Sequence, residues 1–123
     1  MIKLTFCLRR KPGLSLEDFQ DYWLNKHGPL VRSFAKDLRI LRYVQLHSLD
    51  DPMNQGMAAS RKAPSAYDGV AQLWFKSMED LKENARSPAA RAANQTLLED
   101  EDKFIDLENS PLWFGEEHTI VSD

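Results

Sequence analysis

Strand and helix patterns follow one another along the chain in the order β-α-β-β-α-β. That order predicts an α+β fold on the ferredoxin-like plan, a four-stranded antiparallel sheet with its helices on one face. Three observations carry it. Ile2 to Leu8 alternates apolar and polar residues with a period of two. Leu16, Phe19, Trp23, Leu30, Val31 and Phe34 recur at helical spacing behind a Ser15 cap. The rest of the chain supplies two more strand segments, Ile40 to Ser48 and Asp68 to Phe75, a helical region from Ser77 towards Leu98, and a last strand from Leu112 to Val121.

Each element has its punctuation. Lys11-Pro12-Gly13 ends the first strand as a turn, and Asp18 stands three positions after Ser15 as a capping partner. Gly28-Pro29 interrupts the first helix; Pro29 has no N–H for the carbonyl of Asn25, which predicts a kink or a restart there. Leu49 to Ala66 is a long connection with a short helix expected around Asn54 to Arg61. Ser77 with Asp80, and Ser87 followed by Pro88, mark two further helix starts. The acidic run Glu99 to Asp102 reads as an exposed helix end, after which Phe104-Ile105 returns to the core.

Strand phases assign the faces. Leu4, Phe6, Leu8, Val44, Leu46, Leu73 and Phe75 form an apolar set expected beneath the helices. Thr5, Cys7, Tyr43, Gln45, His47, Gln72 and Trp74 form the opposite set, too polar for a dry core and too aromatic for an ordinary wet surface. A second copy of the chain is the economical cover for such a face, which predicts a homodimer with a partly polar cavity between the sheets.

Composition excludes several classes. With 123 residues the chain is expected to be one domain over its whole length, and 42% hydrophobic against 28% charged residues places it among folded globular proteins. Sixteen Lys and Arg against nineteen Asp and Glu give a net charge of −3, which argues against a nucleic-acid partner. No apolar run approaches the length of about 18 residues that a membrane span needs. The basic cluster of the first residues follows an apolar run, the reverse of a signal peptide. The single Cys7 excludes an internal disulfide and a thiolate zinc cluster, so the expected location is the reducing cytoplasm.

Trp23-Leu24-Asn25-Lys26-His27-Gly28-Pro29-Leu30 resembles the W-x-x-x-H-G-P signature of the EthD family. Arg42-Tyr43-Val44-Gln45, Tyr67-Asp68-Gly69-Val70, Phe104-Ile105-Asp106 and the ending Ser110-Pro111-Leu112-Trp113-Phe114 with Glu116-Glu117-His118 are similar to segments of bacterial members in the same order. The resemblance implies a dimeric α/β barrel built from two ferredoxin-like subunits. It also implies association with an ether-degrading cytochrome P450 system or, as in similar fungal proteins, dehydration of aromatic polyketides; related barrels include lactone isomerases and haem-handling monooxygenases. One fold hosts many chemistries, so the reaction has to be argued from the site.

The candidate residues are those that titrate near neutrality or suit a flat, oxygenated ligand. His27 can move a proton in either direction, and the motif raises its standing; its alternative role is to bond a carbonyl freed by Pro29. Tyr43, Gln45 and His47 are two apart on one strand and share a wall, with Tyr43 and His47 suited to polarise a ligand oxygen. Gln72 and Trp74 offer an amide and an indole for a planar ligand, and Tyr67 precedes that strand. Glu116 and His118 share a face that Glu117 leaves, so no metal set is assigned. No P-loop, GxGxxG or GxSxG occurs. The leading expectation is a cofactor-free enzyme moving protons on a small aromatic or lactone-like molecule: a dehydratase, isomerase or cyclase. The alternatives are a non-catalytic accessory protein of an oxidative degradation system and an oxidoreductase of the same barrel type.

Overall fold

The computed structural model describes residues 1–123. β1 (Ile2–Leu8), β2 (Arg42–His47), β3 (Gly69–Phe75) and β4 (Leu112–Gly115) form one antiparallel sheet in the order β2-β3-β1-β4. Central β1 and β3 take the apolar alternation; the edges fall to β2 and to the short β4. Pairing of β4 stops at Gly115, so the strand expected to reach Val121 leaves the sheet early.

The helical layer starts with α1 (Leu16–Tyr22), capped by the Ser15 hydroxyl, which accepts from Asp18 N–H. The kink or restart expected at Gly28-Pro29 does not occur. Trp23–His27 form one π-helical turn and α2 (Gly28–Phe34) continues from it, with His27 and Gly28 both in right-handed helical backbone. The reason lies in the spacing of the buried stripe. Phe19, Trp23, His27 and Val31 are all buried and four positions apart. Four residues advance an α-helix by more than a full turn, so such a stripe drifts by about 40° per step. The wider π turn takes up the surplus and keeps all four on the sheet side. Gly28 N–H reaches back to Trp23 O, and the Gln45 side-chain amide donates to the same carbonyl at 2.9 Å.

α3 (Pro52–Ser60) lies in the β2–β3 connection, capped by Asp51, and buries none of its residues. α4 (Met78–Asn84) and α5 (Pro88–Glu101) complete the layer behind the Ser77 and Ser87 caps. Two apolar clusters result. Phe6, Leu8, Phe19, Trp23, Ala71, Phe104 and Ile105 pack together, and Val31, Leu38, Ala90, Ala93 and Leu97 pack between α2 and α5.

Register corrects the face assignment of β2. Leu4 stands opposite Leu73, and Leu73 opposite Tyr43; Phe6 stands opposite Ala71, and Ala71 opposite Gln45. Residues opposite one another in an antiparallel pair share a face, so Tyr43, Gln45 and His47 lie beneath the helices. Val44 and Leu46 point outward beside Gln72 and Val70, and Leu46 is 57% exposed. β2 is thus one residue out of phase with its apolar pattern, the shift that exchanges both faces. The inward polar trio is tolerated because Gln45 bonds the carbonyl widened out of the helix ladder.

Close packing at one point sets the height of the helix over the sheet. A Cβ at Gly69 would meet the Trp23 ring and lie 2.9 Å from the Leu46 carbonyl oxygen. Gly69→Ala is expected to cost about 1–3 kcal/mol. A lower urea midpoint at unchanged m-value would show it; an unchanged midpoint would mean that Trp23 moves freely.

Candidate active site

The two clusters leave between them a cavity of about 420 Å³, bounded by the sheet below and by α2, the π turn, α4 and α5 above, and partly open to solvent. Its walls are mostly aliphatic and aromatic. Small residues make the room: Ala71 on β3, and Ala85 and Ala90 on the helices, stand where larger side chains would fill the space. The polar groups in the walls are few: His27, Tyr43, Asn84, Asn94 and Glu101.

His27 enters from the π turn and is 5% exposed. Its partner is no carbonyl released by Pro29, the structural role considered for it above. Nδ1 lies 2.7 Å from Oδ2 of Asp100, which is itself 8% exposed. Asp100 Oδ1 accepts from Tyr22 Oη at 2.6 Å, and Lys103 Nζ stands 3.5 Å away. Burial lowers the His27 pKa below its usual value by more than Asp100 raises it. Burial alone would raise the Asp100 carboxyl; hydrogen bonds from Tyr22 and His27 and the nearby positive charge hold it below the usual carboxylate value. The same Tyr22 bond, with burial, pushes the tyrosine up to about 12. Near neutrality the pair is therefore neutral imidazole against carboxylate. An ionised carboxylate only accepts, so Nδ1 carries the proton and Nε2 keeps its lone pair.

Tyr43 reaches the cavity from β2. Its hydroxyl oxygen accepts from Gln45 Nε2 at 2.9 Å, which leaves the phenolic proton to donate. Burial raises its pKa above the ordinary tyrosine value. Gln45 Oε1 accepts from His47 Nε2 at 2.7 Å, and the His47 ring stacks on Trp23 with centroids 4.5 Å apart. His47 thus sits behind Gln45 in a groove beside the cavity, not in the cavity wall.

The other expected site residues are elsewhere. Gln72 and Trp74 are on the outer face, where Lys3 and Arg42 lie over the indole and Trp74 Nε1 donates to Glu117. They share no wall with Tyr43. Tyr67 is stacked under the Arg9 guanidinium at 4.2 Å, near the base of the α3 connection.

Sequence reading missed Asp100 and Glu101 by taking the acidic run as solvated. The signal was present: Ala90, Ala93, Leu97 and Asp100 are spaced three, four and three apart on one helical stripe. Glu101 is half-buried in the cavity wall, and burial with the Asp100 charge pushes its carboxyl up to about 7.

A model of the EthD domain family matches residues 11–108. Dehydratase ustZ of Ustilaginoidea virens is 30% identical over 109 residues, covering 86% of this chain and 76% of that protein. Decarboxylase claH of Passalora fulva is 27% identical over 123 residues, covering 98% of this chain and 78% of that one. The fold matches a structure described as a dimeric protein of unknown function and ferredoxin-like fold from Bacteroides fragilis, at TM-score 0.57 and 10% identity over 94% of this chain and 95% of that one.

Glu101 gives the site a pH signature. A carboxyl at about 7 in the folded chain and 4.5 unfolded binds a proton between those values only when folded. Its contribution to stability is full below about 4.5 and is lost as pH rises through about 7. Glu101→Gln should therefore gain on the parent by about 2–3 kcal/mol between pH 5 and pH 8. Urea unfolding of both proteins at the two pH values checks it; a pH-independent difference would place the carboxyl in water.

Proposed function

The chain belongs to the EthD domain family, and on that premise we propose that it is a small-molecule enzyme. The chemistry is proton transfer, without a cofactor, on an aromatic or lactone-like compound: dehydration, isomerisation or cyclisation. The observation that carries this is His27 in the wall of an apolar cavity, with Asp100 2.7 Å from its Nδ1. The relative named dehydratase supports the class of reaction, and the one named decarboxylase supports an enzyme acting on a small molecule.

His27 Nε2 removes a proton from carbon in this reading. Asp100 fixes the tautomer and stabilises the imidazolium that forms. Tyr43 donates its free hydroxyl proton to the oxygen on which negative charge develops, and the apolar walls strengthen that bond by excluding water. Gln45 positions Tyr43, and His47 positions Gln45. Both histidines therefore serve the site, His27 at the reacting atoms and His47 two hydrogen bonds behind Tyr43.

Turnover of a panel of hydroxylated aromatic ketones and lactones tests this. His27→Ala and His27→Gln should each lose about 10²–10⁴-fold in kcat/KM while melting cooperatively, because glutamine keeps a hydrogen bond to Asp100 but cannot titrate. The base must be neutral, so parent activity should fall on the acid side along a limb below about 6.5. A fully active His27→Gln would end the proposal.

The outer sheet face completes it. Val44, Leu46, Val70, Trp74 and Trp113 share this surface with Thr5, Cys7 and Gln72, and it packs against no helix of its own chain. We take a second copy to cover it, giving a dimeric α/β barrel in which Gln72 and Trp74 are interface residues. No helix is long and apolar enough to cross a membrane, and the lone Cys7 thiol on this face suits the reducing cytoplasm. Sedimentation at micromolar concentration should give twice the chain mass, and Val44→Arg should give a folded monomer. A parent monomer would leave the face without its proposed cover.

A further inference from the structure

We propose that Glu101 is the proton donor of the cavity, set against the His27 base, and that the cavity consequently takes an uncharged aromatic ketone or hydroxyketone and turns carboxylates away. The catalytic half rests on the proton-transfer reading above; the binding half does not.

Three features of the site point to this. Glu101 ends α5 and lines the same cavity as His27 and Tyr43. Its carboxyl makes no hydrogen bond and no ion pair within the chain, whereas neighbouring Asp100 engages Tyr22, His27 and Lys103. A half-buried carboxyl without a partner is free to bond a ligand. Lastly, no Lys or Arg stands in the cavity wall. A ligand carboxylate would meet no cation there, with the Asp100 charge behind His27 opposing it.

The environment agrees. Burial, the Asp100 charge and the negative end of α5 all favour a protonated Glu101. The groups around it are Asp100 on its own helix, His27 on the π turn, Tyr43 on β2, and Tyr22 and Lys103 bound to Asp100. Burial and hydrogen bonding move His27 and Asp100 below their usual values and the two tyrosines above theirs. That leaves Glu101 as the group of this set shifted to about neutrality. Carboxyl and imidazole are thereby driven apart in the sense that assigns acid and base.

In a dehydration the steps balance. His27 Nε2 takes the proton next to the ketone, the C–H electron pair becomes the new C=C bond, and the C–O bond breaks. The Glu101 proton leaves with the hydroxyl as water, and the imidazolium then returns its proton to the Glu101 carboxylate through that water. Decarboxylation would start from an anion, which this wall does not hold. The cavity thus sides with the relative named dehydratase.

Binding of two probes decides it, followed by quenching of tryptophan fluorescence or by calorimetry. The first is an uncharged tetralone that cannot titrate, 4-hydroxy-1-tetralone, whose hydroxyl offers Glu101 an acceptor beside the ketone that Tyr43 holds; the second is 1-naphthoate, an anion of similar size. Tetralone affinity should fall about tenfold between pH 6 and pH 8.5 in the parent and stay flat in Glu101→Gln, whose amide still donates. Glu101→Ala should bind it weakly at both. Naphthoate should bind the parent at least about tenfold more weakly than tetralone at pH 8.5. A flat parent curve, a slope that survives in Glu101→Gln, absent tetralone binding, or naphthoate binding as tight as tetralone would each overturn the proposal. Cooperative melting of each variant confirms that it is folded. His27→Gln should keep the slope, so a failure of the base assignment and a failure of the donor assignment read out separately.

Discussion

The hydrogen bond between His27 and Asp100 joins the first helical unit to the last across 73 positions of sequence. Much of the interior is arranged around it. To bring an imidazole to that point the helix needs Phe19, Trp23, His27 and Val31 on one face, and the π turn supplies the geometry. To bring a carboxylate to the same point α5 must present Asp100 on the stripe of Ala90, Ala93 and Leu97. Tyr22 and Lys103 then satisfy the second oxygen, so the buried charge has partners on several sides. A buried ion left with fewer partners would cost several kcal/mol.

The π turn has a second consequence. The Trp23 carbonyl accepts from Gly28 and also from the Gln45 side chain, a bond that crosses from helix to sheet. Gln45 sits at the centre of a short polar line: His47 donates to its oxygen, and its nitrogen serves both Trp23 O and Tyr43 Oη. With Gln45 donating, the tyrosine lone pair is used and its proton is directed elsewhere. A helix irregularity in one layer thereby sets the hydrogen-bonding sense of a hydroxyl in the other. Such irregular turns concentrate at functional sites because they place a side chain where a regular helix would not.

The element order and most caps were legible in the sequence, since alternation, helical spacing and Ser caps are local signals. The phase of β2 was not. Val44 and Leu46 are its aliphatic residues, and alternation assigns them inward; the structure turns Tyr43, Gln45 and His47 inward because a carbonyl and a stacking indole await them there. Those partners belong to another element and leave no trace in the strand itself. The site was half legible for the same reason. His27 and Tyr43 stood out by type and motif, but Gln72 and Trp74 were grouped with Tyr43 only through the inverted phase. Asp100 and Glu101 were hidden by their neighbours, because four successive acids read as a solvated end until the α5 stripe is followed one turn further.

Two departures from the best-packed solution coincide in this molecule. Alanines at positions 71, 85 and 90 hold open a cavity of about 420 Å³ where larger aliphatic side chains would gain contacts. A carboxyl without a partner sits in the wall of that cavity, where an amide or an aliphatic group would be easier to bury. Either alone could be an accident of packing. Natural sequences keep their levels consistent elsewhere and break the rules where function requires it. Here the void, the unpartnered Glu101 and the Asp100-bound imidazole share one cavity. A void admits a ligand, an imidazole with a free lone pair accepts a proton, and a carboxyl bound to nothing else can give one. The destabilising features are the ones the chemistry needs, and they are confined to the region the two apolar clusters enclose.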